Sequence, residues 1–292
     1  MSERIVDGLD IAGQAFEWGR RTYLMGILNL TPDSFSGDGL GANPESAARQ
    51  AQSFEPEADI LDLGAESTRP NADPVSEEEE LARLLPAIAA IRRLSTRPIS
   101  VDTMKAQVAR AALDAGANII NDVTGLADPA MRALVAEKGI PAVVMHMRGT
   151  PKTMMQLTDY GQDVVAALLE WFADKLAELQ QAGIRREVII LDPGIGFAKT
   201  AEQNLEILYR LREFKALGQP LLVGLSRKGF IGHLVAGQGP IPAGHDRDFG
   251  TAAGVTMAIA GGADIVRVHN VRALAGAVRV ADAITRFPER RK

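Results

Sequence analysis

Eight short apolar runs recur along this chain, each followed by a longer segment of helical pattern, and this alternation limits the fold more than any other feature. The runs cover residues 23–30, 59–64, 98–102, 119–123, 142–146, 188–192, 221–225 and 265–269. They are rich in Val, Ile and Leu and show no polar alternation, the pattern of strands buried on both faces of a parallel sheet. The segments between them are amphipathic, as at 76–94 and 162–181. A strict strand–helix alternation predicts an α/β fold. Eight units within 292 residues favour a single closed (β/α)₈ barrel, the TIM barrel, over an open doubly wound sheet.

Residues 1–21 read as a short strand pair around Asp7-Gly8 that closes the bottom of the barrel. Residues 22–287 form the barrel, and 288–292 a basic tail. A small internal echo precedes three strands: Ala58-Asp59-Ile60, Gly116-Ala117-Asn118-Ile119 and Gly262-Ala263-Asp264-Ile265. Gly116 and Gly262 suit the left-handed position that ends a helix. Residues 236–247 read as a loop. The acidic run Glu77–Glu80 follows Ser76, a good helix N-cap, and reads as a solvated helix start that complements the dipole.

Composition narrows the function. The formal net charge of -5 lacks the basic footprint of a nucleic-acid binder, so an anionic ligand must be met by local cations. The absence of cysteine excludes disulfides, thiolate metal sites and a cysteine nucleophile. No apolar run reaches transmembrane length and the N-terminus lacks the build of a signal peptide, so the expectation is a cytoplasmic protein without a membrane partner. The four histidines form neither His-x-His nor His-Glu-x-x-His, which argues against a zinc hydrolase. Nucleophile-elbow, Walker and dinucleotide-fingerprint sequences are lacking too.

In a barrel of this kind the chemistry sits at the carboxyl ends of the strands. Those ends carry Asn29, Glu66 with Ser67-Thr68-Arg69, Asp102, Asn121-Asp122, His146, Asp192, Ser226-Arg227-Lys228, and Arg267 with His269. Any one Asp or Asn can be a helix cap, but Asp102 and Asp192 come too early for that. Asp102, Asn121 and Asp192 offer acceptors for a heterocycle with adjacent N–H donors. Met145 and Phe197 can wall it, and Lys228, Arg267, His269, Arg69 and Asn29 can hold a polyanion. The residues alone thus point to a planar polar heterocycle plus a phosphate-type group.

The segment Met25-Gly-Ile-Leu-Asn29-Leu-Thr-Pro-Asp33-Ser-Phe35-Ser closely resembles the first motif of dihydropteroate synthases. The others follow in order: Asp62-Leu-Gly-Ala-Glu-Ser-Thr68-Arg69-Pro70, Ser100-Val-Asp102-Thr, Ile120-Asn121-Asp122-Val, Val144-Met145-His146-Met147, Leu191-Asp192-Pro-Gly-Ile-Gly-Phe197, Gly224-Leu-Ser226-Arg-Lys228 and Arg267-Val-His269. The resemblance implies a transferase of folate biosynthesis that joins 6-hydroxymethyl-7,8-dihydropterin diphosphate to p-aminobenzoate, with loss of pyrophosphate. It implies that Asp102, Asn121, Asp192 and Lys228 hold the pterin, with Met145, Gly224 and Phe197 shaping its slot. Arg267 would cover the ring and, with His269, Asn29, Thr68 and Arg69, reach the diphosphate. Asn29 would bind Mg²⁺. Phe35, Pro70, Ser226 and the Lys228 stem would shape the p-aminobenzoate site, and a homodimer is implied too.

Three departures stand out. The family's Ser-Phe-Ser-Asp-Gly-Gly is Ser34-Phe35-Ser36-Gly37-Asp38-Gly39 here, its Arg-Val-His-Asp ends in Asn270, and Ile195 stands where Phe is frequent. Two alternatives share part of the pattern. A corrinoid-linked methyltetrahydrofolate methyltransferase would need no diphosphate or arylamine site, against the Thr31–Ser36 loop and Ser226-Arg-Lys228. A non-catalytic pterin-binding paralogue would be consistent with the altered first loop.

Overall fold

The computed structural model describes residues 6–31 and 43–287. The first-loop residues Phe35, Gly37 and Asp38, and the basic tail 288–292, lie outside the described residues. Two N-terminal strands, β1 (Gly8–Ile11) and β2 (Gln14–Glu17), pair antiparallel. Eight parallel strands follow: β3 (Tyr23–Asn29), β4 (Ile60–Gly64), β5 (Ile99–Asp102), β6 (Ile119–Asp122), β7 (Ala142–Met145), β8 (Ile189–Asp192), β9 (Leu222–Val223) and β10 (Ile265–Val268). They pair in the order β8-β7-β6-β5-β4-β3-β10-β9, and a parallel bridge between Leu191 and Leu221 closes the ring. The chain is a (β/α)₈ barrel with a small N-terminal hairpin.

Nine α-helices are described: α1 (Pro44–Phe54), α2 (Glu77–Arg92), α3 (Ala106–Asp114), α4 (Pro129–Lys138), α5 (Val164–Gln181), α6 (Ala201–Tyr209), α7 (Gly229–Ala236), α8 (Asp248–Ala260) and α9 (Val271–Thr285). Side chains alternate faces along a strand. The outward set, including Leu61, Leu63, Val101, Val144 and Leu191, joins the helices in one large apolar core. The inward set begins apolar: Met25, Ile60, Ile119, Val143, Ile190, Leu222 and Ile265 form a separate cluster inside the ring. Two residues further along, the same face turns polar, with Asp62, Asn121, Asp192 and Arg267 following Ile60, Ile119, Ile190 and Ile265. The change from filler to chemistry therefore takes one step of the strand's two-residue period.

The hairpin seals the lower end. Val6, Ile11, Phe16 and Trp18 belong to the inner cluster, and Phe16, Trp18 and Tyr23 pack ring on ring. The turn is at Ala12-Gly13, both in the left-handed region (φ 55 and 78), and not at Asp7-Gly8. Such a two-residue turn matches the strand twist, and Asp10 Oδ1 accepts from the Gly13 N–H at 3.0 Å.

The sequence echo has a structural cause. Asp59 accepts from the Leu24 N–H at 2.9 Å, Asn118 from Ile99 at 3.0 Å and Asp264 from Leu221 at 3.0 Å. Each satisfies a backbone donor at the lower end of the neighbouring strand, and Arg21, Arg92 and Lys215 back them in turn. Polar groups buried this deep must be paired.

Removing the central ring of the lower seal tests its weight. Phe16→Ala is expected to cost about 3–5 kcal/mol, visible as a lowered Tm in thermal unfolding. An unshifted Tm would mean that the hairpin is not part of the cooperative core.

Candidate active site

The polar layer opens into a cavity of about 650 Å³ at the carboxyl ends of the strands, within the range of a small-molecule site. Asn29, Thr68, Arg69, Pro70, Asp102, Phe197, Gly224, Ser226, Lys228, Arg267 and His269 all line it. Asn121, Met145 and Asp192 do not: they lie buried outside its lining. Phe35 lies outside the described residues. Two other polar strand ends serve the scaffold. Asp122 accepts from the Thr124 N–H at 2.8 Å and the Thr124 hydroxyl at 2.7 Å, forming a turn. His146 is buried against Tyr160 and Trp171.

Arg267 organises the floor. Its Nε donates to Asp62 Oδ2 at 2.6 Å and its Nη2 to Asp102 Oδ2 at 2.9 Å. Asp62 has no exposed surface, and the Asn121 amide lies 3.4 Å from its Oδ1. Burial pushes the Asp102 carboxyl up to about 7, against the pull of Arg267, with Asp62, Glu80 and Asp122 adding to the rise. Asp192 is also raised by burial, while Lys228, the Gly194 N–H at 2.8 Å and Lys199 hold it down.

Lys228 is positioned from several sides. Its Nζ donates to the Ile195 carbonyl and lies 4.5 Å from the Phe197 ring centroid. Gly196 sits at φ +82, and a Cβ there would come within 2.9 Å of Lys228 Cδ, so glycine serves both backbone and neighbour. Burial lowers the Lys228 ammonium to about 8, against the pull of Asp192 and Asp102. The preceding Arg227 adopts φ 57, held there by paired contacts with Asp248 at 2.8 and 2.9 Å. His269 Nδ1 lies 3.0 Å from Ser226 Oγ. Burial, with the charges of Arg267, Arg227 and Arg69, keeps this imidazole neutral, well below its usual value.

Three residues carry more than the sequence analysis gave them. Asp62 was read only as part of a motif, yet it holds Arg267; its signal was an isolated Asp inside the apolar run Ile60–Gly64. Lys199 lines the cavity while only 2% exposed, with Nζ 3.1 Å from His146 Nδ1 and 2.9 Å from the Phe197 carbonyl. Burial lowers Lys199 to about 7 and His146 to about 2. Glu80 corrects the reading of a wholly solvated acidic run: it is fully buried and pairs with Lys105 at 2.6 Å. Lys105 also holds Glu66, whose other oxygen accepts from the Val75 N–H at 3.1 Å. Ser76 does cap α2, accepting from the Glu79 N–H.

Residues 25–269 match the family described as pterin binding enzyme. A dihydropteroate synthase of Synechocystis is 48% identical over 288 residues, covering 98% of each chain. The Xanthomonas albilineans dihydropteroate synthase, solved with 4-aminobenzoic acid, superposes with a TM-score of 0.86 at 38% identity, covering 96% of this chain and 98% of that one. The Yersinia pestis dihydropteroate synthase, solved in a sulfonamide drug complex, also gives 0.86, at 36% identity and 95% and 98% coverage.

The chain belongs to the dihydropteroate synthase family. As a dihydropteroate synthase family member it is a transferase. Below the Asp102 value the floor loses an anion; above the Lys228 value it loses a cation. The pH profile of kcat/KM, which reports the free enzyme, is therefore expected to fall below about 7 and above about 8. Asp102→Asn should remove the acid limb. Lys228→Arg should move the alkaline limb upward, because a guanidinium stays charged. Limbs unmoved by either change would assign the titrations elsewhere.

Proposed function

We propose that this chain condenses 6-hydroxymethyl-7,8-dihydropterin diphosphate with p-aminobenzoate, giving 7,8-dihydropteroate and pyrophosphate. The observation that supports this reading is one cavity that brings Asp102, paired in the floor with Arg267, together with Arg69, Lys228 and His269. A ring with N–H donors suits the carboxylate, and a diphosphate the cations. A methyltransferase acting on a folate has no use for that set of cations in one cavity.

In this reading Asp102 accepts from the pterin at the cavity floor and Lys228 donates to its carbonyl, and Asn121 and Asp192, buried outside the cavity lining, would join them when the ring is bound. Met145, Gly224 and Phe197 bound the slot. Leaving-group departure precedes attack: the C–O bond to the diphosphate breaks, pyrophosphate carries away the electron pair, and a pterin methyl cation remains. Buried carboxylates at 102 and 192 stabilise that cation. Arg69, Arg267, His269 and Thr68 stabilise the leaving charge. The arylamine nitrogen then forms the new C–N bond and loses its proton. Pro70, Ser226 and the Lys228 stem border the arylamine.

Mg²⁺ fits the donors present. Among the described residues no three His, Cys, Asp or Glu groups cluster as a metal cage. An ion bound mainly by substrate phosphates and water needs only one or two protein oxygens, and the Asn29 amide lines the same cavity as Thr68 and Arg69. When bound there, Mg²⁺ would neutralise developing charge on the leaving group.

We also propose a homodimer. Leu205, Tyr209, Leu234 and Met257 expose an apolar groove between α6, α7 and α8, and Phe249 beside it is 92% exposed. An apolar patch of this kind marks an association surface. No helix among the described residues is long and apolar enough to cross a membrane, and a cytoplasmic location belongs to the same proposal.

The deciding assay follows 7,8-dihydropteroate formation from the two substrates. Turnover is expected, with loss on chelation and recovery with added Mg²⁺. Asp192→Asn should lower kcat by about a hundredfold or more with an unchanged circular dichroism spectrum. Wild-type binding without turnover would leave a pterin-binding paralogue, and full activity of Asp192→Asn would remove that residue from the cation's surroundings. In sedimentation, a charge placed at Phe249 and Met257 together should convert a dimer to a monomer.

A further inference from the structure

The buried floor of the cavity already holds a ligand-like group, and that group is part of the chain. The Arg267 guanidinium presents two N–H donors, one to Asp62 at 2.6 Å and one to Asp102 at 2.9 Å. Its planar N–C–N unit is the same donor array as the amino-substituted edge of a 2-aminopyrimidinone. A ring that takes both oxygens of Asp102 would therefore displace the Arg267 donor at Oδ2. The need for a placeholder is physical: Asp62 is 0% exposed and Asp102 9%, and two carboxylates this buried are costly without a cation or donors between them. Arg267 has somewhere else to go. It lines the same cavity as Asn29, Thr68, Arg69 and His269, and the side-chain-free Gly224 lies alongside its stem, with an added Cβ at 3.8 Å from Arg267 Cβ.

We propose that Arg267 is a displaceable placeholder for the heterocycle, hooked in the floor by Asp62, and that its release by the ring primes the anion site above. This rests on the functional reading given above. Asp62 is a positioning residue in this scheme: it lines no part of the cavity and acts through Arg267. The ring's N–H donors replace those of the guanidinium at Asp102, and the freed cation moves to the mouth. There it adds a positive charge where the diphosphate sits. Ring and anion then bind with positive coupling, and by linkage each strengthens the other by the same factor.

Calorimetry with 6-hydroxymethylpterin and inorganic pyrophosphate, separately and together at one Mg²⁺ concentration, tests this without turnover. In the wild-type chain, saturating pterin is expected to lower the pyrophosphate Kd by about fivefold or more. In Arg267→Ala the coupling should vanish, and the pterin should bind as tightly as before or more tightly, because no guanidinium has to leave. A role limited to covering the ring would instead weaken pterin binding. Asp62→Asn should strengthen pyrophosphate binding in the absence of pterin, since the hook is weakened. Equal pyrophosphate affinity with and without pterin in the wild-type chain overturns the proposal whatever the variants do, and leaves the functional reading intact if both ligands bind. Failure of both ligands to bind removes the functional reading and this inference together.

Discussion

A closed ring of eight strands has no empty axis, so every inward side chain must be matched by others across a few ångströms. This one constraint divides the barrel into two storeys. The lower storey is apolar and is sealed by the hairpin through Phe16 and Trp18. The upper storey carries charge, and charge buried at such density must be internally compensated. Asp62, Asp102 and Arg267 compensate one another from three different strands. Asp192 and Lys228 form a second balance beside them. Each charge of the Asp62–Asp102–Arg267 set thus has its counter-charge on another strand.

The same residue types serve structure at the other end. Asp59, Asn118 and Asp264 spend their acceptors on backbone N–H groups of neighbouring strands, each backed by a cation. Asp62 and Asp102 instead meet the side chain of Arg267. A backbone donor cannot be displaced without opening the sheet, whereas a side-chain donor on a flexible stem can leave. That difference separates the acceptors at the two ends of the barrel.

Backbone geometry supplies the remaining precision. Gly196 and Arg227 both stand in the left-handed region on either side of Lys228. Such conformations persist at non-glycine positions only when the surroundings enforce them, and the Arg227–Asp248 pair does so here. The Glu66–Lys105–Glu80 network similarly ties the start of the second loop to α2, so that Thr68, Arg69 and Pro70 leave from a fixed base.

The sequence by itself determined the strands, their order and most of the cavity wall, because strand burial and strand-end polarity are local patterns. The eight runs agree with the observed strands to within a few residues, and β9 is the shortest against its run. Most of the site residues named from strand ends line the cavity. Only the tertiary structure decided what depends on partners distant in the chain. The hairpin turn fell at Ala12-Gly13, where alanine gives no signal for a positive φ, and not at the turn-like Asp7-Gly8. Glu80 is buried because Lys105, 25 positions away, reaches it. Asn121, Met145 and Asp192 lie off the cavity lining. Asp62 became central because Arg267, 205 positions later, closes the ring beside it. Local sequence fixes which face a side chain takes, but the charge it meets there is set by closure of the barrel.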